Sequence, residues 1–313
     1  MKTGSKVSAQ LFCFHHAGGS SSSYKNWRRF LPASFEIIPI GLPGRHERFN
    51  EALIRDFPTA LATVTRMVTP LVSAPFALIG HSMGALLAYE VARNLEQLGP
   101  RACALFVSAC RAAHLWAESR DLKSQLPDSA LLEEIREMNG TPESLLLDGE
   151  MMELVLPVVR ADFGVCDSYK FDPEPFLTCP IFAFAGLDDP DIKREDVAAW
   201  RHLTSGGFGL RMLAGDHFFI HKEWQARQIC SAILDNFCSV HVSNHSSAKR
   251  TWIRASYPEP GNWCPSRLHN DLCCRGSRFF RSFRAALILT RIPRVPLRST
   301  LGCFIAPLRC VSL

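Results

Sequence analysis

Apolar residues in this chain follow two rhythms. Short, nearly continuous runs rich in β-branched and aromatic residues predict strands at Leu11–Phe14, Phe35–Ile40, Phe76–Ile79, Ala104–Ser108, Pro180–Ala185 and Leu210–Leu213. Between them, longer stretches with apolar residues every three or four positions predict helices near Phe57–Leu71, Ala85–Leu98, Arg194–Leu203 and Glu223–Phe237. In the second of these, Leu86, Leu87, Tyr89, Val91 and Leu95 supply the apolar positions, and Gly99-Pro100 ends the helix. Strands alternating with helices predict an α/β fold, a mostly parallel sheet with helices on both faces. The strands are apolar on both sides because both faces of such a sheet are covered.

One interval breaks the alternation. About seventy residues with helical rather than strand periodicity lie between Ser108 and Pro180, too many for a simple connection. Leu131, Leu132, Ile135 and Met138 recur at helical spacing, with Asp128 or Ser129 as the expected cap. Gly140 and Pro142 interrupt this helix, and a second apolar stretch follows around Met151–Val159. Residues 110–175 are therefore expected to form an inserted helical lid; a pair of peripheral packing helices is the plainer alternative.

The chain changes character after Cys238. Arg, Pro, Ser and Cys dominate, and no periodicity lasts more than a few residues. From His241 onward one Lys and eleven Arg face only Glu259 and Asp271, a net +10, so the overall +5 leaves −5 on the first 240 residues. The expected division is a folded α/β domain over 1–240 and a basic tail over 241–313. The tail's composition suits disorder or an aberrant C-terminus better than a functional arm, and no nucleic-acid partner is expected.

The length of 313 residues, with 47% hydrophobic and 21% charged, fits a globular protein with a sizeable core. No apolar run approaches the ~18–20 residues of a membrane span. Leu11–Phe14 is too short for a signal-peptide core, so a cytoplasmic location is expected. The 12 cysteines then read as free thiols. They form no CxxC pair or zinc-like spacing, and neither metal nor cofactor is expected.

The chemistry centres on Gly80-His81-Ser82-Met83-Gly84, between a strand-like run and a helix-forming one. This is a G-x-S-x-G elbow in the context that gives it meaning. It exposes a serine hydroxyl on a sharp turn and directs the next helix's first amides at the reaction centre. A serine nucleophile needs a base and an acid to orient it, here in the order Ser, acid, His. Asp189, in Gly186-Leu187-Asp188-Asp189-Pro190 past a strand's carboxyl end, is the preferred acid. Asp188 is the nearest alternative and Asp191 the next. His217, after Leu213-Ala214-Gly215-Asp216, is the expected base, and His221 the fallback. His15, His16 and His81 precede the acid and read as packing or supporting groups. For the oxyanion, the Met83 and Ala17 amides are expected to donate, with Gly18 as the alternative to Ala17. Gly18-Gly19 is not a phosphate loop, since neither GxGxxG nor GK[ST] is present.

His16-Ala17-Gly18-Gly19, Leu42-Pro43-Gly44-Arg45, the elbow, Arg160-Ala161-Asp162-Phe163 and Gly215-Asp216-His217-Phe218-Phe219 occur in one order. In this the chain resembles the type II thioesterases of nonribosomal peptide and polyketide synthesis. It is also similar to the vertebrate medium-chain thioesterase of fatty acid synthesis. The resemblance covers roughly residues 9–238 and implies the α/β-hydrolase fold with a mobile helical lid. It implies hydrolysis of acyl groups from the phosphopantetheine arm of an acyl or peptidyl carrier protein through Ser82, Asp189 and His217; separately, a monomer is expected. Met138, Met152 and Phe163 are candidates for an acyl pocket, with core packing an equal alternative; Arg45 and Arg160 read as structural. The rival readings are another serine hydrolase, such as a carboxylesterase or acyltransferase, and a non-enzymatic binding protein acting through the basic tail.

Overall fold

A computed structural model describes residues 8–116 and 122–243, with side chains as far as Phe237. The basic tail lies outside these residues, apart from the last turn of a helix that continues to Ser243.

Strand β1 (Ala9–Phe14) leads through a 3-10 helix (Ser21–Arg29) to β2 (Phe35–Ile40). Helix α1 (Phe57–Val68) precedes β3 (Phe76–His81), and α2 (Met83–Leu98) precedes β4 (Ala104–Ser108). Helices α3 (Ala113–Trp116), α4 (Asp128–Glu137), α5 (Glu143–Leu146) and α6 (Gly149–Asp167) fill the interval before β5 (Ile181–Gly186). Then come α7 (Arg194–Ala198), β6 (Phe208–Leu213) and α8 (Glu223–Ser243). The six strands run parallel in the order β2-β1-β3-β4-β5-β6. After β2 the chain returns past β1 to form β3, so the strand order reverses between them. The loops leaving β1 and β3 therefore diverge at a topological switch point, where open α/β sheets bind ligands.

Two cores explain the apolar strands. On one face Phe12, Phe14 and Leu78 pack with Val64 of α1 and Leu86 and Tyr89 of α2. On the other, Leu11, Cys13 and Ile79 meet Tyr24 and Trp27 of the 3-10 helix and Ile229 and Ile233 of α8. Every residue of β3 is buried as a result. No helix among the described residues is long and apolar enough to cross a membrane.

Local departures from the sequence expectations have tertiary causes. Asp128 and Ser129 do not cap α4: Pro127 holds the cap position without a side-chain bond. The Asp128 carboxylate instead accepts from Arg160 Nη2 at 2.5 Å. Arg160 Nη1 also donates to the Ser124 and Leu126 carbonyls, fixing the chain that enters α4. The stretch expected around Met151–Val159 is part of a longer helix, α6, which runs through Pro157. The helix expected over Arg194–Leu203 is α-helical only to Ala198, and a 3-10 turn completes it. Cys13, Cys103, Cys110, Cys166, Cys179 and Cys230 are free thiols. Burial pushes the Cys179 and Cys230 thiols up to about 12, which leaves them unreactive.

Helices α4, α5 and α6 carry a small core of their own, built from Leu131, Ile135, Leu146, Met152, Val159 and Phe163. Helix α2, by contrast, is pressed onto β1. A Cβ placed on Gly84 would overlap the Phe14 carbonyl, while one on Gly149 would meet nothing within 4 Å. Gly84→Ala should therefore cost about 3 kcal/mol, the upper end of overpacking penalties. Gly149→Ala should be neutral or stabilising by up to about 1 kcal/mol. Urea unfolding of the two variants checks this pair, and equal stabilities would contradict it.

Candidate active site

Ser82 stands between β3 and α2 with φ 55° and ψ −122°, a conformation that costs an L-residue of order 1–3 kcal/mol. Its surroundings hold it there. The Ser82 N–H donates to the Ser108 carbonyl at 2.8 Å, extending the β3–β4 pairing through the turn. Gly80 and Gly84 must lack side chains: a Cβ on Gly80 would overlap the Gly84 carbonyl across the turn, and one on Gly84 would overlap the Phe14 carbonyl of β1. His81, within the same turn, has its Nδ1 2.9 Å from the Ser108 hydroxyl. Met83 opens α2, so its N–H is one of the first four helical amides, which have no intrahelical acceptor.

The structure places Asp189 against His217. Asp189 Oδ2 lies 2.8 Å from His217 Nδ1, and both side chains are buried. The carboxylate accepts, so Nδ1 carries the proton and Nε2 presents a lone pair. Among the described residues that buried Nε2 has no hydrogen-bond partner. Asp189 Oδ1 is engaged by the Asp191 and Ile192 amides, which orient the carboxylate. The neighbouring Asp188 points elsewhere, accepting from the Gly215 N–H at 3.1 Å and bracing the turn after β6. His221 does not meet Asp189. Its Nε2 lies 3.2 Å from His16 Nε2.

The loop after β1 is a tight turn. Gly19 N–H donates to the His16 carbonyl at 2.9 Å, and Gly18, with φ 73°, takes the position that favours glycine in a type II turn. The Gly18 N–H is already committed to Asp162 Oδ2 at 2.7 Å. That leaves Ala17, which lines the same cavities as Ser82 and His217. The three histidines set aside on chain order are tied into this region. His15 Nδ1 donates to the His16 carbonyl at 2.7 Å, and His16 Nδ1 to the Ala17 carbonyl at 2.9 Å.

Two cavities meet over Ser82, sharing Ala17, Met138, Phe163 and His217. One, about 140 Å³, is closed by apolar side chains of the inserted helices and the His217 loop, including Ile135, Val155, Val159 and Phe218. The other, about 160 Å³, is lined with Arg111, Lys123, Asp167 and Asp191 beside Trp116. Met138 and Phe163 thus border the serine. Met152 does not; it packs in the core of the insertion. Sequence reasoning gave Asp162 no role in the site. Its segment Arg160-Ala161-Asp162-Phe163 stood out only as a motif, and its partner Arg45, in another motif, is 117 positions away.

A parallel sheet with a strained serine elbow, an Asp–His pair on neighbouring strand ends and a helical insertion above them define an α/β-hydrolase. Within that class the chain belongs to the thioesterase family, whose thioesterase domain matches residues 9–237. It is 40% identical over 219 residues to the gramicidin S biosynthesis protein GrsT of Aneurinibacillus migulanus, covering 70% of this chain and 85% of that one. It is 40% identical over 229 residues to the thioesterase PikA5 of Streptomyces venezuelae, covering 72% and 80%. Among solved structures, the type II thioesterase BorB from the borrelidin biosynthetic cluster superposes with a TM-score of 0.68 at 34% identity, covering 74% of this chain and 93% of that one.

The buried histidines make the site acid-sensitive. Desolvation pushes His15 down from 6.5 to about 4 and His16 to about 3, the nearby Asp162 only partly offsetting it at His15. Both values lie below the unfolded one, so as pH falls the unfolded chain takes up these protons first. Their contribution is complete above pH 6.5 and is lost progressively toward pH 4. Thermal unfolding followed from pH 7.5 to 4 should show stability falling from about pH 6.5, before ordinary carboxylates titrate. Stability that stays level down to pH 5 would contradict this.

Proposed function

We propose that this protein hydrolyses acyl groups from the phosphopantetheine arm of acyl or peptidyl carrier proteins, releasing or editing chains on a biosynthetic synthase. The observation that carries the mechanism is the Asp189–His217 pair beside Ser82, its Nε2 unpartnered. Ser82 Oγ attacks the thioester carbonyl as His217 Nε2 takes its proton. The Ala17 and Met83 amides hold the oxyanion, and the arm departs as a thiol that receives the proton from His217. Water, deprotonated by the same nitrogen, then attacks the acyl-enzyme and frees the acid and Ser82. Asp189 keeps the imidazole in the tautomer that can accept and supports the imidazolium once formed.

Membership of the thioesterase family and the likeness to a gramicidin S biosynthesis protein and to a type II thioesterase of a biosynthetic cluster support a carrier-bound substrate. The paired cavities suit such a substrate, the apolar one for the acyl group and the more polar one for the amide-bearing arm. Helices α4 to α6 act as its lid.

On an acyl-carrier thioester, Ser82→Ala should abolish turnover, and Asp189→Asn should lower kcat by about 10⁴-fold through the wrong imidazole tautomer. Asp188→Asn should keep kcat within a few-fold of wild type. Steady-state kinetics of the three variants decide the assignment. A larger loss at Asp188 than at Asp189 would overturn it. Brisk ester hydrolysis with no turnover of carrier or coenzyme A thioesters would move the protein to the carboxylesterases.

A further inference from the structure

Asp162 has no side-chain exposure, lies in the inserted helix α6, and is paired with a buried arginine from the loop after β2. Arg45 grips it with both ends of the guanidinium, Nη1 to Oδ2 at 2.6 Å and Nη2 to Oδ1 at 2.8 Å. A buried ion pair is a weak source of stability, since apolar residues of similar volume do as well or better. Its other contacts suggest a different purpose. Asp162 Oδ2 also accepts the Gly18 N–H at 2.7 Å, and Arg45 Nη1 also donates to the Gly19 carbonyl at 3.2 Å. The pair therefore clasps the turn of the β1 loop by a donor and an acceptor on consecutive residues. From the same helix Val159 closes on the turn, its Cγ2 2.9 Å from where a Gly18 Cβ would sit.

The turn so held contains the peptide between His16 and Ala17. The carbonyl of that peptide accepts from Gly19 N–H and from His15 Nδ1. In a trans peptide the N–H points opposite to its carbonyl. Fixing the carbonyl into the turn thus aims the Ala17 N–H away from it. Without the clasp, the two glycines would leave the turn several accessible conformations, and the donor would have no set direction.

We infer that Asp162, acting with Arg45, is a positioning residue that sets the Ala17 N–H for the oxyanion, coupling the inserted helix to the catalytic turn. This rests on the serine-hydrolase mechanism proposed above. Asp162 does not touch the reacting atoms. It acts through the peptide, so its effect falls on the tetrahedral state rather than on substrate binding.

The test compares wild type with Asp162→Asn on an acyl-carrier thioester and on a p-nitrophenyl ester. Two inhibitors accompany the kinetics: an alkyl boronic acid, which forms a tetrahedral adduct with the serine, and an unreactive thioether analogue of the substrate. The asparagine variant should show kcat lowered about 10²-fold, as for loss of one oxyanion donor, with KM changed less than threefold. Boronate affinity should fall by a comparable factor, while thioether affinity stays unchanged. A merely structural role would lower the melting temperature and the active fraction without separating the two inhibitors. Unchanged kcat in a folded variant, or equal loss of both affinities, would overturn the inference. If the asparagine variant does not fold, Arg45→Lys carries the same test, and failure of both to fold would reduce the pair to a folding element. Wild type that turns over the ester but not the thioester would count against the substrate proposal alone, because the inhibitor comparison reads the oxyanion turn on either substrate.

Discussion

The structure turns on the backbone of one residue. Ser82 is held at positive φ because the chain must leave a buried strand and enter a helix without a loop between. That turn closes only if Gly80 carries no side chain, and α2 can lie against β1 only if Gly84 carries none. Register then does the rest. Gly80 pairs with Phe14 at the last position of the β1–β3 ladder, so the elbow begins where the loop after β1 begins. Strain at the serine, close packing of α2 on β1 and the nearness of the two candidate amide donors are consequences of one geometry.

The opposite wall comes from the far side of the strand order. Asp189 and His217 leave β5 and β6, paired in parallel, so both side chains emerge on the rim that carries the elbow. Their neighbours are used for bracing: Asp188 for the turn at Gly215, and the amides of Asp191 and Ile192 for the carboxylate. Above this rim the insertion contributes a small separate core and the walls of an apolar cavity. It is also anchored. Gly140 lies so close to the Phe218 ring that a Cβ there would overlap it, and Asp162 joins α6 to Arg45. The insertion thus bounds the cavity over Ser82 and braces the turn after β1.

Much of this was legible in the chain. Both faces of the sheet are covered, so each strand appeared as an apolar run, and placing Ser82, Asp189 and His217 needed only the ends of those runs. The choice between Asp188 and Asp189 rested on the spacing from Gly186 to Asp189. It is Asp189 that meets His217, while Asp188 turns to the Gly215 amide. The cap of α4 was misjudged because Arg160, more than thirty positions away, engages Asp128. The 3-10 helix at Ser21–Arg29 was hidden by its serine-rich start, although Tyr24 and Trp27 stand at the spacing that buries one face. The Arg45–Asp162 link was invisible for the same reason as the Arg160 contact: it exists only once distant segments are folded together.

In the proposed mechanism an acyl group passes from a thioester to Ser82 and then to water. Rapid-quench mass spectrometry of the full chain mixed with an acylated carrier protein tests it most directly. An acyl adduct should appear transiently on the peptide containing Ser82 as the carrier loses the acyl mass and gains a free thiol, followed by release of the acid. Deacylation of the carrier with no adduct, or with the adduct on a cysteine or any residue other than Ser82, would contradict it.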